Sequence, residues 1–219
     1  MESKDIWDGS ALTESDKTLT KVRYEGSPIT ANSFICAVST SSLSLIKAIS
    51  EKSRPVGHFI VELYDINEPC QYANGNDSEI NIIKTFKNPV ILMDNVCLIS
   101  FEHIFRCSHE IVRIFYETFK PKNVIVLESM HRSLFHGNTE VPSLYILSEN
   151  VEQPKLPLPN LISGLSAGLL NYSTLHNANC RIWEMIEEDF GPSSSSYKIW
   201  AAKINEILPV ETEKRRYLM

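Results

Sequence analysis

Apolar and polar positions change period several times along the chain, and each change predicts an element. Phe34 to Val38 is a short apolar run that ends in the polar stretch Ser39 to Ser42, which predicts a strand followed by a helix capped there and reaching about Ser50. Beyond Pro55 the run HFIVELYDI puts Phe59, Val61 and Leu63 on one face of a strand, and Asn67 to Ser78 has the composition of a loop or insertion. From Glu79 to Ser100 short β-rich runs alternate with two turn-like sites, Lys87-Asn88-Pro89 and Asp94-Asn95, which predicts three adjacent antiparallel strands.

The period then lengthens. Ile104, Cys107 or Ser108, Ile111, Phe115 and Phe119 fall on one side of a helix that stops before Pro121. Asn123 to Leu127 is apolar on both faces, as a central strand of an α/β sheet is, and Ser143 to Leu147 predicts a further strand. Pro154, Pro157 and Pro159 lead to Asn160, the expected cap of a helix from Leu161 to about Leu175. That helix has bulky positions at Leu161, Leu165, Leu169 and Tyr172, and small ones at Gly164, Ala167 and Gly168 that would let another element approach closely. A strand over 179–186 follows, then a serine run from Ser193 that caps a last helix with Tyr197, Trp200, Ala201, Ile204 and Leu208 at three- to four-residue steps; Pro209 ends it. The predicted fold class is therefore α/β: a single domain over 31–208 with a mixed β-sheet flanked by helices. Residues 1–30 show no clear apolar period and are expected to be an arm, and 209–219 a tail.

Composition narrows the function more than the fold. With 21 Lys and Arg against 27 Asp and Glu the formal charge is −6, which argues against a nucleic-acid partner, because such a surface is usually a basic stripe. The acidic start lacks a secretory pattern, and no apolar stretch approaches the roughly 20 residues of a membrane helix, so no membrane partner is expected. The expected location is the cytoplasm, with the nucleus as a second compartment. Cys36, Cys70, Cys97, Cys107 and Cys180 are odd in number and widely spaced, which fits free thiols in an intracellular chain.

Motifs for chemistry are few. Gly164-Leu165-Ser166-Ala167-Gly168 fits the G-x-S-x-G pattern of a nucleophile elbow, and a serine hydrolase using Ser166 is the rival to a non-catalytic reading. The elbow requires a strand before the serine and an acid and then a histidine after it. Here the pattern lies in a predicted helix, and the only later histidine, His176, follows with no acidic residue between. His103 and His109 do not share a helix face, and His131 and His136 flank a polar loop, so no metal or cofactor is expected. The last residues differ in kind: Lys214, Arg215 and Arg216 precede Tyr217, Leu218 and Met219. Two readings of this tail stay open, insertion of its apolar side chains and terminal carboxylate into a partner's groove, and a solvated chain end.

The stretch FEHIFRCSHEIVRIFYETFKPKNVIVLESMHR, followed by PSLYIL and by LPLPNLISGLSAGLLNYSTLHNANCRIW, resembles the proteasome assembly chaperone 1 family. The resemblance rests on a helix ending at Phe119-Lys120-Pro121 before an apolar strand, and on a proline-rich lead-in to Pro159-Asn160-Leu161-Ile162; it spans about 90–208. It implies a non-enzymatic assembly chaperone that forms a heterodimer with proteasome assembly chaperone 2. The pair would bind the α-subunit ring of the proteasome core particle and promote assembly of the core. It also implies a partner-binding C-terminus made of Tyr217, Leu218 and Met219. The family ends in a hydrophobic-Tyr-any motif, whereas here Tyr217 is third from the end and Leu218 is penultimate. An unrelated dimeric scaffold is the remaining alternative.

Overall fold

The computed structural model describes residues 18–27, 29–65, 82–102, 107–148, 156–188 and 193–208. The loop expected over Asn67 to Ser78, the start of the expected arm and the tail with Tyr217, Leu218 and Met219 lie outside these residues.

Eight strands form one mixed sheet: β1 (Thr18–Gly26), β2 (Ser33–Ala37), β3 (Gly57–Asp65), β4 (Ile82–Met93), β5 (Val96–Ser100), β6 (Asn123–His131), β7 (Ser143–Ser148) and β8 (Asn179–Glu187). Their spatial order is β1-β3-β4-β5-β2-β6-β8-β7. The centre, β5-β2-β6-β8, is parallel, while β1-β3-β4 and β7 add antiparallel wings. Strands β2 and β6 are apolar on both faces because helices cover both. On one face α2 (Ser108–Phe119) and α3 (Gly164–Leu175) pack on Phe34, Cys36, Val124, Val126 and Ile182. On the other, α1 (Thr40–Ser50) and α4 (Ser194–Asn205) pack on Ile35, Ala37, Ile125, Leu127 and Met185. The predicted α/β class is the observed one.

Aromatic rings fill the first face. Phe34, Phe59, Phe115 and Tyr24 surround Phe119 at ring-centroid distances of 5.0 to 5.8 Å. The small stripe of α3 has the expected use at one position: a Cβ on Gly168 would stand 3.0 Å from Val112 Cγ2, so the absence of a side chain lets α3 seat against α2. At the helix crossing the buried Tyr116 hydroxyl donates to the Leu169 carbonyl at 2.8 Å.

Three expectations require correction. The arm predicted over 1–30 contains β1, which pairs with β3 from Thr18↔Asp65 to Gly26↔Gly57. Its sequence alternates Thr20, Val22 and Tyr24 with Lys21, Arg23 and Glu25, a period of two, and Val22 is buried in the core.

Lys87-Asn88-Pro89 is not a turn; β4 runs straight through it, with Pro89 opposite His58. Proline is tolerated there because β5 pairs only from Val90 onward, so β4 has an open side at that point. The fully buried Asn88 side chain also favours continuing the strand over a solvated turn.

Helix α3 starts at Gly164 with Ser163 as its cap, not at Leu161 with Asn160. Gly164 has φ +62, a left-handed conformation that no helix can pass through, and Asn160 is engaged elsewhere. The bulky face of that helix loses a member accordingly: Leu165 and Leu169 are buried, but Leu161 is 78% exposed.

Helix α2 is described from Ser108, and Ile104 lies outside the described residues. The Ser39 and Ser193 caps are observed as predicted, the Ser193 hydroxyl accepting from the Ser196 amide at 3.1 Å.

Candidate functional site

The parallel strands β6 and β8 end side by side, and the helices that follow them in the chain, α3 and α4, lie on opposite faces of the sheet. In α/β sheets the crevice at such a divergence is the usual binding position. Here the two strand ends carry acidic residues in register, Glu128↔Glu184, on the α3 side of the sheet. Glu184 is buried and Glu128 half-buried.

Burial pushes the Glu184 carboxyl up to about 9, helped by the charges of Glu128 and Glu187. Burial also raises Glu128, and the neighbouring Ser166 hydroxyl offsets part of that rise. The approach of Ser166 to Glu128 stops short of hydrogen-bonding geometry, leaving Ser166 Oγ, Glu128 Oε2 and Glu184 Oε2 without hydrogen-bond partners. On the opposite face the Glu187 carboxylate accepts from the Ser41 hydroxyl at 2.6 Å.

Above the acidic pair the chain forms a ridge. Residues 156–163 form neither helix nor strand, turn at 158–159 and border the same groove as Glu128 and Glu184, and Asn160 ties them down. Its Oδ1 accepts from the His136 amide at 2.6 Å, while its Nδ2 donates to the carbonyls of His136 at 2.7 Å and Pro157 at 2.5 Å. With Asn160 anchored, its flanks face outward: Leu158 is 87% exposed and Leu161 78%.

A groove lies on either side of this ridge. The first, of about 550 Å³, has Glu128 and Glu184 at its base and Met130, His131, Leu134, His136, Leu161 and Ile162 around it. The second, of about 490 Å³, is bounded by β7 and α3 through Ile146, Leu147, Leu156, Ala167 and Leu170. Exposed leucines on a tethered ridge between two grooves have the character of an interaction surface.

Ser166, the one candidate nucleophile, sits in the first turn of α3, buried against Glu128. The segment before it is the ridge rather than a strand, so the elbow context is missing. His176 stands at the far end of the same helix, about 15 Å along the axis from Ser166, with its ring stacked on Tyr116 at 4.9 Å. The structure therefore does not bring together the pair that the motif would need. Among the described residues no group of three or more His, Cys, Asp or Glu side chains is placed to hold a metal ion, and His109 accepts or donates a bond with the Tyr172 hydroxyl at 2.8 Å.

The acidic pair had a sequence signal that periodicity arguments pass over. Both strands begin with Asn and reach Glu five residues later, as Asn123-Val-Ile-Val-Leu-Glu128 and Asn179-Cys-Arg-Ile-Trp-Glu184. Two parallel strands in that register must place the two acids together.

The fold just described is that of the proteasome-assembly chaperone homologues. The archaeal homolog of proteasome-assembly chaperone from Pyrococcus furiosus, PbaA, superposes with a TM-score of 0.60 at 12% identity, over 88% of this chain and 88% of that one. PbaB of the same organism, an archaeal proteasome activator, gives a TM-score of 0.56 at 13% identity over 91% and 92% of the two chains. The Mycobacterium tuberculosis proteasome-assembly chaperone homologue gives 0.54 at 8% identity over 85% and 90%. No protein-family model and no curated protein matches the sequence.

Proposed function

We propose that this chain is a non-catalytic proteasome assembly chaperone that works as a heterodimer with proteasome assembly chaperone 2. In this reading the pair binds the α-subunit ring and promotes assembly of the core particle, in the cytoplasm and the nucleus. The observation that carries the reading is the agreement of fold with PbaA over nearly the whole of both chains. It stands beside the resemblance of 90–208 to the proteasome assembly chaperone 1 family.

Such a protein works by binding energy alone. A heterodimer that touches several α subunits at once converts each later contact into an intramolecular one, so contacts too weak singly hold a partial ring through effective concentration. The ridge leucines and their two grooves supply apolar contact area for this, and release follows when the finished core removes some of the contacts.

Affinity purification of the tagged full chain followed by mass spectrometry tests the proposal. A second chaperone of the same fold and α-ring subunits are expected to dominate the recovered proteins, and their absence would refute the reading. Tail insertion is tested separately, by removing Tyr217 to Met219. Loss of α-subunit recovery with the chaperone pair intact is expected; unchanged recovery ends the tail's role and leaves the chaperone reading standing.

A further inference from the structure

Glu128 and Glu184 are held side by side and largely out of water, with no cationic side chain against either among the described residues. Carboxylates held out of water without donors are destabilising unless a cation or a proton answers them. Among the described residues Glu128 Oε2 and Glu184 Oε2, the two acids that line the groove, lack hydrogen-bond partners, as do Ser166 Oγ behind them and Glu187 Oε1 on the opposite face of the sheet. An alkylammonium has three donors, free to rotate, around one point of charge. A guanidinium presents a flat fork that suits a single carboxylate met edge-on better than two carboxylates contributed by neighbouring strands.

The walls specify the rest of the ligand. Met130, Leu134 and Ile162 surround the acidic base of the groove, which suits a long methylene stem with a charged tip. The 550 Å³ groove continues to the exposed Leu161 on the ridge, leaving room for backbone on either side of one side chain.

We propose that this groove is the receptor for a lysine side chain of a protein partner, its ammonium held by Glu128 and Glu184 and its stem lying along Met130, Leu134 and Ile162. The inference is independent of the partner's identity and of the chaperone reading. Both glutamates already line the groove, and the broad terminal torsion of each lets the plane of its carboxylate adjust to a docked ammonium. In the free protein at neutral pH Glu184 holds a proton, so docking exchanges that proton for the ammonium and releases it to solvent. The titratable and polar groups around this exchange are Glu128 on β6, Glu187 on β8, Tyr145 opposite Glu184 on β7, Ser166 on α3, and His131 and His136 at the groove wall.

The test is an NMR titration of the isotope-labelled full chain with Nα-acetyl-lysine N-methylamide, alongside its norleucine and arginine counterparts and 1,5-diaminopentane. The lysine probe is expected to give saturable shifts at the carboxyl carbons of Glu128 and Glu184 and the amides of 128–134 and 160–163. Proton release should accompany them in calorimetry with buffers of different ionisation enthalpy. Glu128→Gln and Glu184→Gln should each weaken binding about tenfold or more, with retained thermal unfolding showing that the fold survives. Leu134→Ala, at a site already 64% exposed, should weaken it by a smaller factor. The proposal is overturned by norleucine binding equally well, by no saturable shift, or by unchanged affinity in Glu184→Gln. Tighter binding of the arginine probe overturns the ammonium, and tighter binding of the diamine overturns the protein-borne lysine.

Discussion

At the scale of single residues the most consequential group is Glu184. Its folded carboxyl titrates at about 9, against an ordinary value of 4.5. Between those two pH values the folded chain holds a proton that the unfolded chain has released, so stability is highest below the lower value and declines as pH rises toward the upper one. The unfolding temperature should therefore fall from mildly acidic to alkaline pH, and Glu184→Gln should flatten that slope and melt higher than the parent in the alkaline range. An identical slope in both proteins would mean that Glu184 does not govern it. Glu184 and Glu128 were within reach of a reader of the sequence, because two runs of equal length end in the same acid. What the sequence could not supply is that those runs are neighbours, since pairing between strands 56 residues apart is decided by the whole sheet.

At the scale of elements the ridge depends on one side chain. Asn160 satisfies three backbone groups from a position that is 7% exposed. Asn160→Ala removes all three bonds, two to the exposed His136 and one to the half-buried Pro157, at a cost of about 1–3 kcal/mol. Denaturant unfolding should report that loss, and hydrogen exchange should show faster opening at 136 and 156–163 with the sheet centre unchanged; uniform protection across both would remove Asn160 as the tether.

The same residue shows where local reading stops. Asn160 has the chemistry of a helix cap, and a cap is the commoner use of asparagine ahead of an apolar run. Here long-range bonding to His136 overrides it, and Gly164 starts the helix one turn later. Lys87-Asn88-Pro89 misleads for a related reason, since its turn-forming composition is outweighed by pairing to β3 on one side. Elements whose signals are internal, such as α1 with its Ser39 cap and α2 with its apolar stripe, were legible with little error.

At the scale of the whole molecule the three-layer arrangement follows from strands apolar on both faces, which is why the fold class could be read early and the strand order could not. The four described cysteines have a kinetic consequence. Cys36, Cys97, Cys107 and Cys180 are buried thiols outside any disulfide, all on the α2 and α3 side of the sheet. Burial pushes Cys97 up to about 12 and Cys107 up to about 11. A thiol must be both reached and ionised before it reacts, and the folded layer denies both. In a Cys70→Ser variant, capture by a disulfide reagent should thus wait on separation of that helical layer from the sheet. Its rate would then clock the layer's opening, rising with denaturant in step with loss of the aromatic signal. Rapid capture from the folded protein would reveal a second, partial opening of the layer, faster than unfolding of the whole chain.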